Sequence, residues 1–285
     1  MKRDRRAYTS PPLVWVDPAR ETTAATYDSL ADARATVGAR RSPLRVFNNL
    51  VKDDLVRRAV ALSCTPAPRV IELAVGQGGD IGKWFRAGAV SLLGLDISPK
   101  SIGTAASRSR AYGGRVTLRV CDLLDPVQLS EHVGSSAAAA DVVSVQMAFH
   151  YMWPVREVLL REISKCLRAG GVLALSLPSA EAIIRRSRLL DGSNMCNDRY
   201  AITDLRREPA GDASYVFWLD ECVDRLREYL VPYPELITVA RRHGLEVAET
   251  TQFSSFHGFS ELDTEWGAVA SLYQTLLFVR APHHV

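Results

Sequence analysis

From about Arg45 onward, short apolar runs alternate with longer amphipathic or polar stretches. A helix is predicted over residues 46–62. After it, five apolar runs of strand length follow in order, at residues 69–74, 90–95, 115–120, 140–145 and 172–177. Strands that alternate with helices form a mostly parallel sheet with helices on both faces. The pattern therefore predicts an α/β domain.

The alternation ends after Pro178, and regular structure returns near the end of the chain. A helix is predicted near residues 234–243, followed by apolar segments at residues 245–250 and 271–279. These two segments are expected to pair as an antiparallel hairpin at one edge of the sheet. The predicted fold is thus a mostly parallel, seven-stranded, Rossmann-like sheet with an antiparallel edge strand.

Composition divides the chain into an arm and one domain. Residues 1–43 are polar and weakly periodic, which predicts a flexible N-terminal arm. Residues 44–285 are expected to form one domain, since a chain of 285 residues that is 47% hydrophobic can bury a full core. Within it, residues 180–235 mix Arg, Asp, aromatic and turn residues, which indicates an insertion; residues 215–219 have the character of an inserted strand.

Charge and cysteine spacing exclude some classes of protein. A net charge of +3 is only weak support for nucleic-acid binding. No two of the five cysteines are spaced as a CxxC pair, so neither a metal site nor a disulfide framework is expected. Free thiols fit a reducing compartment. Because no apolar stretch has the length of a membrane span, no membrane partner is expected.

A glycine-rich turn follows the first predicted strand, in the segment Glu72-Leu-Ala-Val-Gly-Gln-Gly-Gly-Asp80. Glycines allow a sharp turn from strand to helix and let a ligand approach the backbone. The dinucleotide-binding pattern GxGxxG does not fit, because its third glycine would fall on Ile81. An acidic residue, a small residue and Gly-x-Gly instead resemble the first motif of class I methyltransferases. Glu72 and Gly76 are therefore expected at a cofactor.

Acidic residues also follow the next two predicted strands. Asp96 ends the second strand, where a carboxylate can accept both ribose hydroxyls of a nucleoside. Asp122 follows the third strand, where it can face an adenine amino group. A single Asp in such a place is often only a turn or cap residue. Three acids at neighbouring strand ends, together with the glycine turn, predict a nucleoside-type cofactor.

Several further segments resemble the cap guanine-N7 methyltransferase family, in the same order along the chain. They are Arg45-Val-Phe-Asn48-Asn-Leu-Val-Lys52, Gln146-Met-Ala-Phe-His150-Tyr151, Arg227-Glu228-Tyr-Leu-Val231, and Trp266 with Tyr273. The glycine turn is similar to the family's as well. Each segment alone is a weak signal, since a lone histidine or tyrosine is more often packed in a core. The combination over residues 45–279 is specific.

The resemblance implies an enzyme that transfers a methyl group from S-adenosylmethionine to N7 of the mRNA cap guanosine, leaving S-adenosylhomocysteine. It implies cofactor binding by Lys52, Glu72, Gly76, Asp96, Asp122, Gln146 and Tyr151. It implies cap binding by Asn48, Gln77, His150, Tyr151, Glu228 and Tyr273, with residues 180–235 contributing to the acceptor site. The expected partners are the capped RNA 5′ end and, as candidates, other capping enzymes or an activating subunit. The expected location is the nucleus, or the cytoplasm for a viral or cytoplasmic capping system.

The chemistry of guanine N7 suits these residue types. N7 carries a lone pair and no proton, so attack on a sulfonium methyl needs no general base, and positioning and electrostatics are expected to supply the rate. Glu228 can accept hydrogen bonds from the guanine N1–H and amino group. Phe149 and Tyr151 are expected to offer ring faces to the purine, and His150 to donate to O6 or shape the pocket. Arginines at positions 185, 186 and 188 fit either the triphosphate and transcript or a solvated helix face.

The chain departs from the family's pattern at four positions, which are Glu72 for Asp, Val75 for Cys, Gln77 for Lys and Leu124 for an aromatic residue. Lys83 or an N-terminal Arg is a candidate replacement for the missing cation, and Trp153 for the missing aromatic ring. Two other functions therefore stay open. One is methylation of a small-molecule acceptor on the same scaffold; the other is a non-catalytic subunit that binds cap or cofactor.

Overall fold

The computed structural model of this chain describes Asp28 and the residue ranges 42–134, 139–189, 195–220 and 222–282. The arm predicted at residues 1–43 therefore lies outside the described residues, apart from Asp28, Ser42 and Pro43. In these ranges, no helix has both the length and the apolar character needed to cross a membrane.

The described residues form helices and strands close to the predicted positions. The helices are α1 (Pro43–Leu62), α2 (Ile81–Arg86), α3 (Pro99–Ser109), α4 (Pro126–Gly134), α5 (Arg156–Cys166), α6 (Ala180–Leu189), α7 (Tyr233–Arg242) and α8 (Thr264–Ala270). The strands are β1 (Arg69–Leu73), β2 (Ser91–Asp96), β3 (Val116–Val120), β4 (Ala140–Gln146), β5 (Leu167–Pro178), β6 (Met195–Cys196), β7 (Tyr200–Arg207), β8 (Ala213–Leu219), β9 (Val223–Tyr229), β10 (Leu245–Gln252) and β11 (Tyr273–Arg280). A 3₁₀ turn, Phe149–Val155, follows β4.

Seven strands form the main sheet, in the order β10-β11-β5-β4-β1-β2-β3. The strands from β5 to β3 pair in parallel, whereas β11 runs antiparallel to both β5 and β10. This arrangement confirms the predicted sheet and the predicted antiparallel pairing of β10 with β11, although α8 lies in the connection between them and the two strands therefore do not form a tight hairpin. Leu73 at the end of β1 pairs with Leu95 of β2 and Val145 of β4, so the residues after these strands meet at one edge.

Alternate residues of the central strands face two separate helix layers. Ile71 and Val143 face a core that includes residues of α4, α5 and α7. Their neighbours Val70 and Val142 face a core that includes residues of α1, α2 and α3. Because both faces are covered, every residue of β4 is buried, including its polar residues Asp141 and Ser144, as is typical of a central parallel strand.

The insertion forms a second, antiparallel sheet in the order β6-β7-β8-β9. The sequence predicts one strand here, at residues 215–219, and the structure extends it to β8 and adds three more. Aromatic residues of this sheet, Tyr215 and Phe217 among them, share a core with Phe47 of α1 and Trp266 of α8. Strand β9 also packs on the 3₁₀ turn after β4. These contacts fix the small sheet beside the carboxyl edge of the main sheet.

Candidate active site

The glycine turn folds back over the ends of β1 and β2. Gly76 and Gly78 have positive φ angles of 53° and 72°, which favour glycine. A Cβ added at Gly78 would lie 2.8 Å from Ile81 Cδ1 and 3.1 Å from Ala105 Cα, so this glycine is needed for close packing on α3. A Cβ at Gly76 would meet nothing within 4 Å. The backbone of Gly76 therefore faces open space, as a ligand-binding turn requires.

Asp96 holds this turn against β2. Its Oδ2 accepts a hydrogen bond from Gly76 N at 2.7 Å, and its Oδ1 accepts one from Ser98 N at 2.9 Å. Burial raises the pKa of Asp96, hydrogen bonds from Ser98 and Gly76 oppose the rise, and Asp28 adds to it. Since each carboxylate oxygen has two acceptor positions, both can also accept from a ribose hydroxyl.

Asp122 shapes the loop after β3. Its Oδ1 accepts from Leu124 N at 2.9 Å, and its own N–H donates to Gln128 Oε1 at 3.1 Å. The first contact is the turn-forming role that a lone Asp after a strand often has. The role of Asp122 toward adenine stays a prediction.

Gln146 ends β4 with its side-chain amide held on both sides. Its Nε2 donates to Ser144 Oγ at 3.2 Å, and its Oε1 accepts from Ser176 Oγ at 2.9 Å. Ser176 lies directly across from Gln146 on β5. The amide is therefore fixed at the same edge of the sheet as Asp96, and its predicted cofactor contact stays a prediction.

A cluster of opposite charges lies beneath the glycine turn. Lys52 Nζ of α1 donates to Asp80 Oδ2 at 2.7 Å. Burial would raise the pKa of Asp80, but Lys52 and Lys83 outweigh it and lower that pKa. Burial and the neighbouring Asp80 raise the pKa of Glu72 to about 8. The nearby Trp84 indole N–H partly opposes this rise, but Glu72 Oε2 is buried with no hydrogen bond of good geometry in the described part of the chain, so it can accept a bond from a ligand.

The sequence makes Lys83 a candidate replacement for the family's lysine at position 77, and the structure excludes that role. Its Nζ is buried and donates to Asn49 Oδ1 at 2.9 Å, to Asp80 and to Gly79 O. An ammonium with these three acceptors has no donor left for a phosphate. Gln77 is partly exposed on the glycine turn.

Glu228 of β9 is the centre of a second group of side chains, buried to 2% exposure. Tyr151 Oη donates to Glu228 Oε1 at 2.8 Å, and Tyr215 Oη donates to Oε2 at 2.6 Å. His150 Nε2 lies 3.4 Å from Oε1. The charge of Glu228 also contributes to a raised pKa at Tyr273, where burial is the larger cause. Four residues predicted from three separate segments, His150, Tyr151, Glu228 and Tyr273, thus meet here.

Tyr215 is a residue of this group that the sequence did not reveal. It lies directly across from Glu228 in the β8–β9 ladder. The apolar run at residues 215–219 predicts the strand, but no local pattern gives the pairing partner of Tyr215. The signal in the sequence that could have indicated Tyr215 was a tyrosine within the predicted inserted strand, since a buried hydroxyl needs a hydrogen-bond partner.

Two further predicted substrate residues have buried polar atoms. Asn48 Oδ1 and His150 Nδ1 have no hydrogen-bond partner within the described ranges. Unpartnered buried polar groups are costly in a finished structure. Both atoms therefore fit contacts to a ligand.

Two aromatic residues are not available to a ligand. Phe149 and Trp153 are 0% and 1% exposed and pack edge to face in the core. The expectation that Phe149 offers a ring face to the purine is wrong, and so is the candidate role of Trp153 at the adenine. In both cases the 3₁₀ turn after β4 directs the ring inward, which the sequence pattern did not show.

Of the three arginines on α6, Arg185 and Arg188 are exposed and Arg186 is half-buried.

The sheet order, the glycine turn and the acids at the strand ends define the class I methyltransferase fold. Magnesium protoporphyrin IX methyltransferase from Synechocystis, solved with bound S-adenosylhomocysteine, has a TM-score of 0.59 and 17% identity, covering 92% of this chain and 100% of that one. A methyltransferase from Streptomyces caelestis has a TM-score of 0.58 and 17% identity, covering 90% and 98%. These similarities show the fold.

Sequence comparison identifies the family. A model of the mRNA (guanine-N(7))-methyltransferase domain matches residues 20–271, and the chain belongs to this family. The mRNA cap guanine-N(7) methyltransferase of Schizosaccharomyces pombe is 29% identical over 225 residues, covering 72% of this chain and 60% of that protein. A rice enzyme with the same designation is 30% identical over 233 residues, covering 75% and 61%. The chain thus spans about three fifths of the length of these relatives.

Proposed function

We propose that this chain transfers the methyl group of S-adenosylmethionine to N7 of the guanosine cap of mRNA. The observation that carries the proposal is the buried carboxylate of Glu228, which His150, Tyr151 and Tyr273 surround. Family membership supports the same reaction. A buried carboxylate beside a histidine and tyrosines is suited to a planar, hydrogen-bonding base such as guanine.

The residues at the edge of the sheet fit the methyl donor. Open space above Gly76 admits a nucleoside, and Asp96 has acceptor capacity for ribose hydroxyls. The buried, unpartnered Glu72 Oε2 suits the ammonium of the methionine part, and Lys52 suits its carboxylate. Asp122 and Gln146 complete the adenosine side. When bound, S-adenosylmethionine supplies an electrophilic methyl on its sulfonium and leaves as neutral S-adenosylhomocysteine.

The cap residues orient the guanine rather than move a proton. Glu228 accepts hydrogen bonds from the guanine N1–H and 2-amino group. Adenine has neither donor, because its N1 carries no hydrogen and its C2 no amino group. The Tyr151 and Tyr215 hydroxyls already occupy one acceptor position each, on Oε1 and Oε2, but a carboxylate has about four acceptor positions. Tyr273 and Asn48 bound the pocket, and His150 Nδ1 is an available group for O6. Holding N7 in line with the methyl–sulfur bond supplies the rate enhancement.

The insertion contributes to the acceptor site, because β9 carries Glu228. The partner that follows from this activity is the capped 5′ end of an RNA, with other capping enzymes or an activating subunit as further candidates. The expected compartment is the nucleus for a nuclear capping system, and the cytoplasm for a viral or cytoplasmic capping system.

The proposal is tested by methyl transfer from labelled cofactor to the cap dinucleotide GpppA, with ApppA as the acceptor that lacks guanine. Wild type is expected to yield the N7-methyl product from GpppA alone. Glu228→Gln is expected to lose at least about tenfold in kcat/KM, or about 1.4 kcal/mol of transition-state binding, with cofactor affinity retained.

The same assay separates the other two functions. A wild-type chain that binds cofactor but never methylates GpppA contradicts the proposal and favours a non-catalytic subunit. Methylation of nucleosides or other small acceptors in preference to the cap contradicts the proposal as well, and favours a small-molecule enzyme. Gln77 in place of the family's lysine is the sequence feature that favours this second outcome.

A further inference from the structure

We infer that Tyr215 is a positioning residue for guanine recognition, holding the Glu228 carboxylate in the plane that the base requires. The inference rests on the proposed function and adds a residue that has no part in the family-derived site. Tyr215 is not expected to touch the cap or the cofactor; it acts through Glu228.

The contact between the two side chains is short and enclosed. Tyr215 and Glu228 lie opposite each other on β8 and β9, and the hydroxyl donates to Oε2 at 2.6 Å. The two residues are 1% and 2% exposed. Burial, followed by the charges of Glu228 and Tyr273, raises the pKa of Tyr215 well above 10. The hydroxyl therefore keeps its proton and acts as a donor toward the carboxylate.

Two hydroxyls hold the carboxylate from different parts of the fold. Tyr151, on the 3₁₀ turn after β4, donates to Oε1, whereas Tyr215, on the small sheet, donates to Oε2. A glutamate side chain has three rotatable bonds, and the last of them has a broad preference. Bonds to both oxygens fix that last torsion. The Glu228 carboxylate is thereby oriented before any base arrives.

Orientation matters because guanine presents two N–H groups side by side. A carboxylate accepts both only when its plane coincides with the plane of the base, as in other bidentate contacts. If the carboxylate can rotate, one of the two bonds weakens, and the 2-amino group contributes less to selection. Loss of the Tyr215 hydroxyl is therefore expected to reduce discrimination between guanine and hypoxanthine, which lacks that amino group.

The test uses Tyr215→Phe, which removes one oxygen and keeps the ring. The matched control is Tyr200→Phe, because Tyr200 is a fully buried tyrosine of the same sheet whose hydroxyl lies near Arg186 rather than Glu228. Each variant is assayed with GpppA and with IpppA, its inosine counterpart. Cofactor affinity is measured separately by calorimetry.

For Tyr215→Phe, the KM for GpppA is expected to rise at least about fivefold, and the preference for GpppA over IpppA to fall by a similar factor, since a hydrogen bond to a charged group is lost. Cofactor affinity stays within about twofold. In a Glu228→Gln background, Tyr215→Phe adds no comparable loss, because the effect passes through Glu228. Tyr200→Phe changes neither the KM nor the preference.

Distinct results overturn the inference and the proposed function. Tyr215→Phe with wild-type KM and wild-type guanine preference overturns the inference and leaves the function intact. Equal losses in the wild-type and Glu228→Gln backgrounds, or a parallel loss of cofactor binding, show a merely structural role and overturn it too. Absence of methyl transfer to GpppA by the wild type overturns the proposed function itself.

Discussion

Lys83 and Asp80 form a buried ion pair beside the glycine turn, with Lys83 Nζ 2.6 Å from Asp80 Oδ1 and both side chains 7% exposed. Lys52 binds the other oxygen of the same carboxylate at 2.7 Å. The pair links α2 to the glycine turn, and the contact of Lys52 with Asp80 links the turn to α1. Lys83 is thus part of the support of the candidate cofactor site.

Replacement of Lys83 by Met is expected to destabilise the fold by about 2–3 kcal/mol, because the buried Asp80 carboxylate and Asn49 each lose a charged hydrogen-bond donor while Lys52 still pairs with Asp80. The free energy of unfolding in denaturant measures the effect. Lys165→Met is the control, since Lys165 is 63% exposed in its ion pair with Glu162 and such pairs contribute about 0–1 kcal/mol. Equal stability of the two variants would contradict this account of Lys83.

Cofactor binding is expected to strengthen as the pH rises from about 6 to 7.5, because the pKa of Glu72 is raised to about 8. Below that pKa, Glu72 is mostly protonated, and an ammonium partner favours its ionised form, so binding releases a proton. Calorimetry in two buffers of different ionisation enthalpy measures the release. In Glu72→Gln the pH dependence is expected to vanish; a pH-independent affinity in the wild type would refute the prediction.

Two glycines of the turn are expected to respond differently to alanine. In Gly76→Ala the only cost in stability is the strain of an alanine at positive φ, about 1–2 kcal/mol, because the added methyl meets no atom of the described residues. That methyl, however, enters the open space above the turn. Cofactor affinity is expected to fall at least about tenfold, which is about 1.4 kcal/mol. Gly78→Ala adds a clash with Ile81 and Ala105, which costs about 1–3 kcal/mol more in stability. Thermal denaturation and cofactor titration of both variants provide the measurement, and wild-type cofactor affinity in Gly76→Ala would count against the site.

Gln77→Lys is expected to lower the KM for the cap, because the family has lysine at this position and the triphosphate is anionic. The gain is expected to be about two- to fivefold at low ionic strength and to shrink as salt screens the charge. The uncharged Gln77→Met variant is the control and is expected to show no gain. If both variants behave alike at low salt, Gln77 does not lie near the phosphates.

Local patterns in the sequence determined the elements of the main sheet and much of its edge. Apolar runs located β1 to β5. In the central strands, burial on both faces leaves little room for polar residues, whereas the edge strand β3 is exposed or half-buried along its length. The acid-and-glycine turn at Glu72 and Gly76 and the acid at Asp96 could be assigned because strand ends in a parallel sheet meet at one edge. The resemblance of short segments supplied His150, Tyr151, Glu228 and Tyr273 as one set.

Contacts between distant segments were decided only by the tertiary structure. The pairing of Tyr215 with Glu228, the burial of Phe149 and the use of Lys83 by Asp80 and Asn49 depend on strand register and on helix placement. Periodicity reports which residues of one element share a face, and it carries no information about what that face meets. The sequence alone therefore placed the candidate site residues at one edge of the sheet. Packing of the small sheet against that edge decided which of these residues touch. The physical reason is that hydrogen bonds and burial depend on distances that only the folded chain defines.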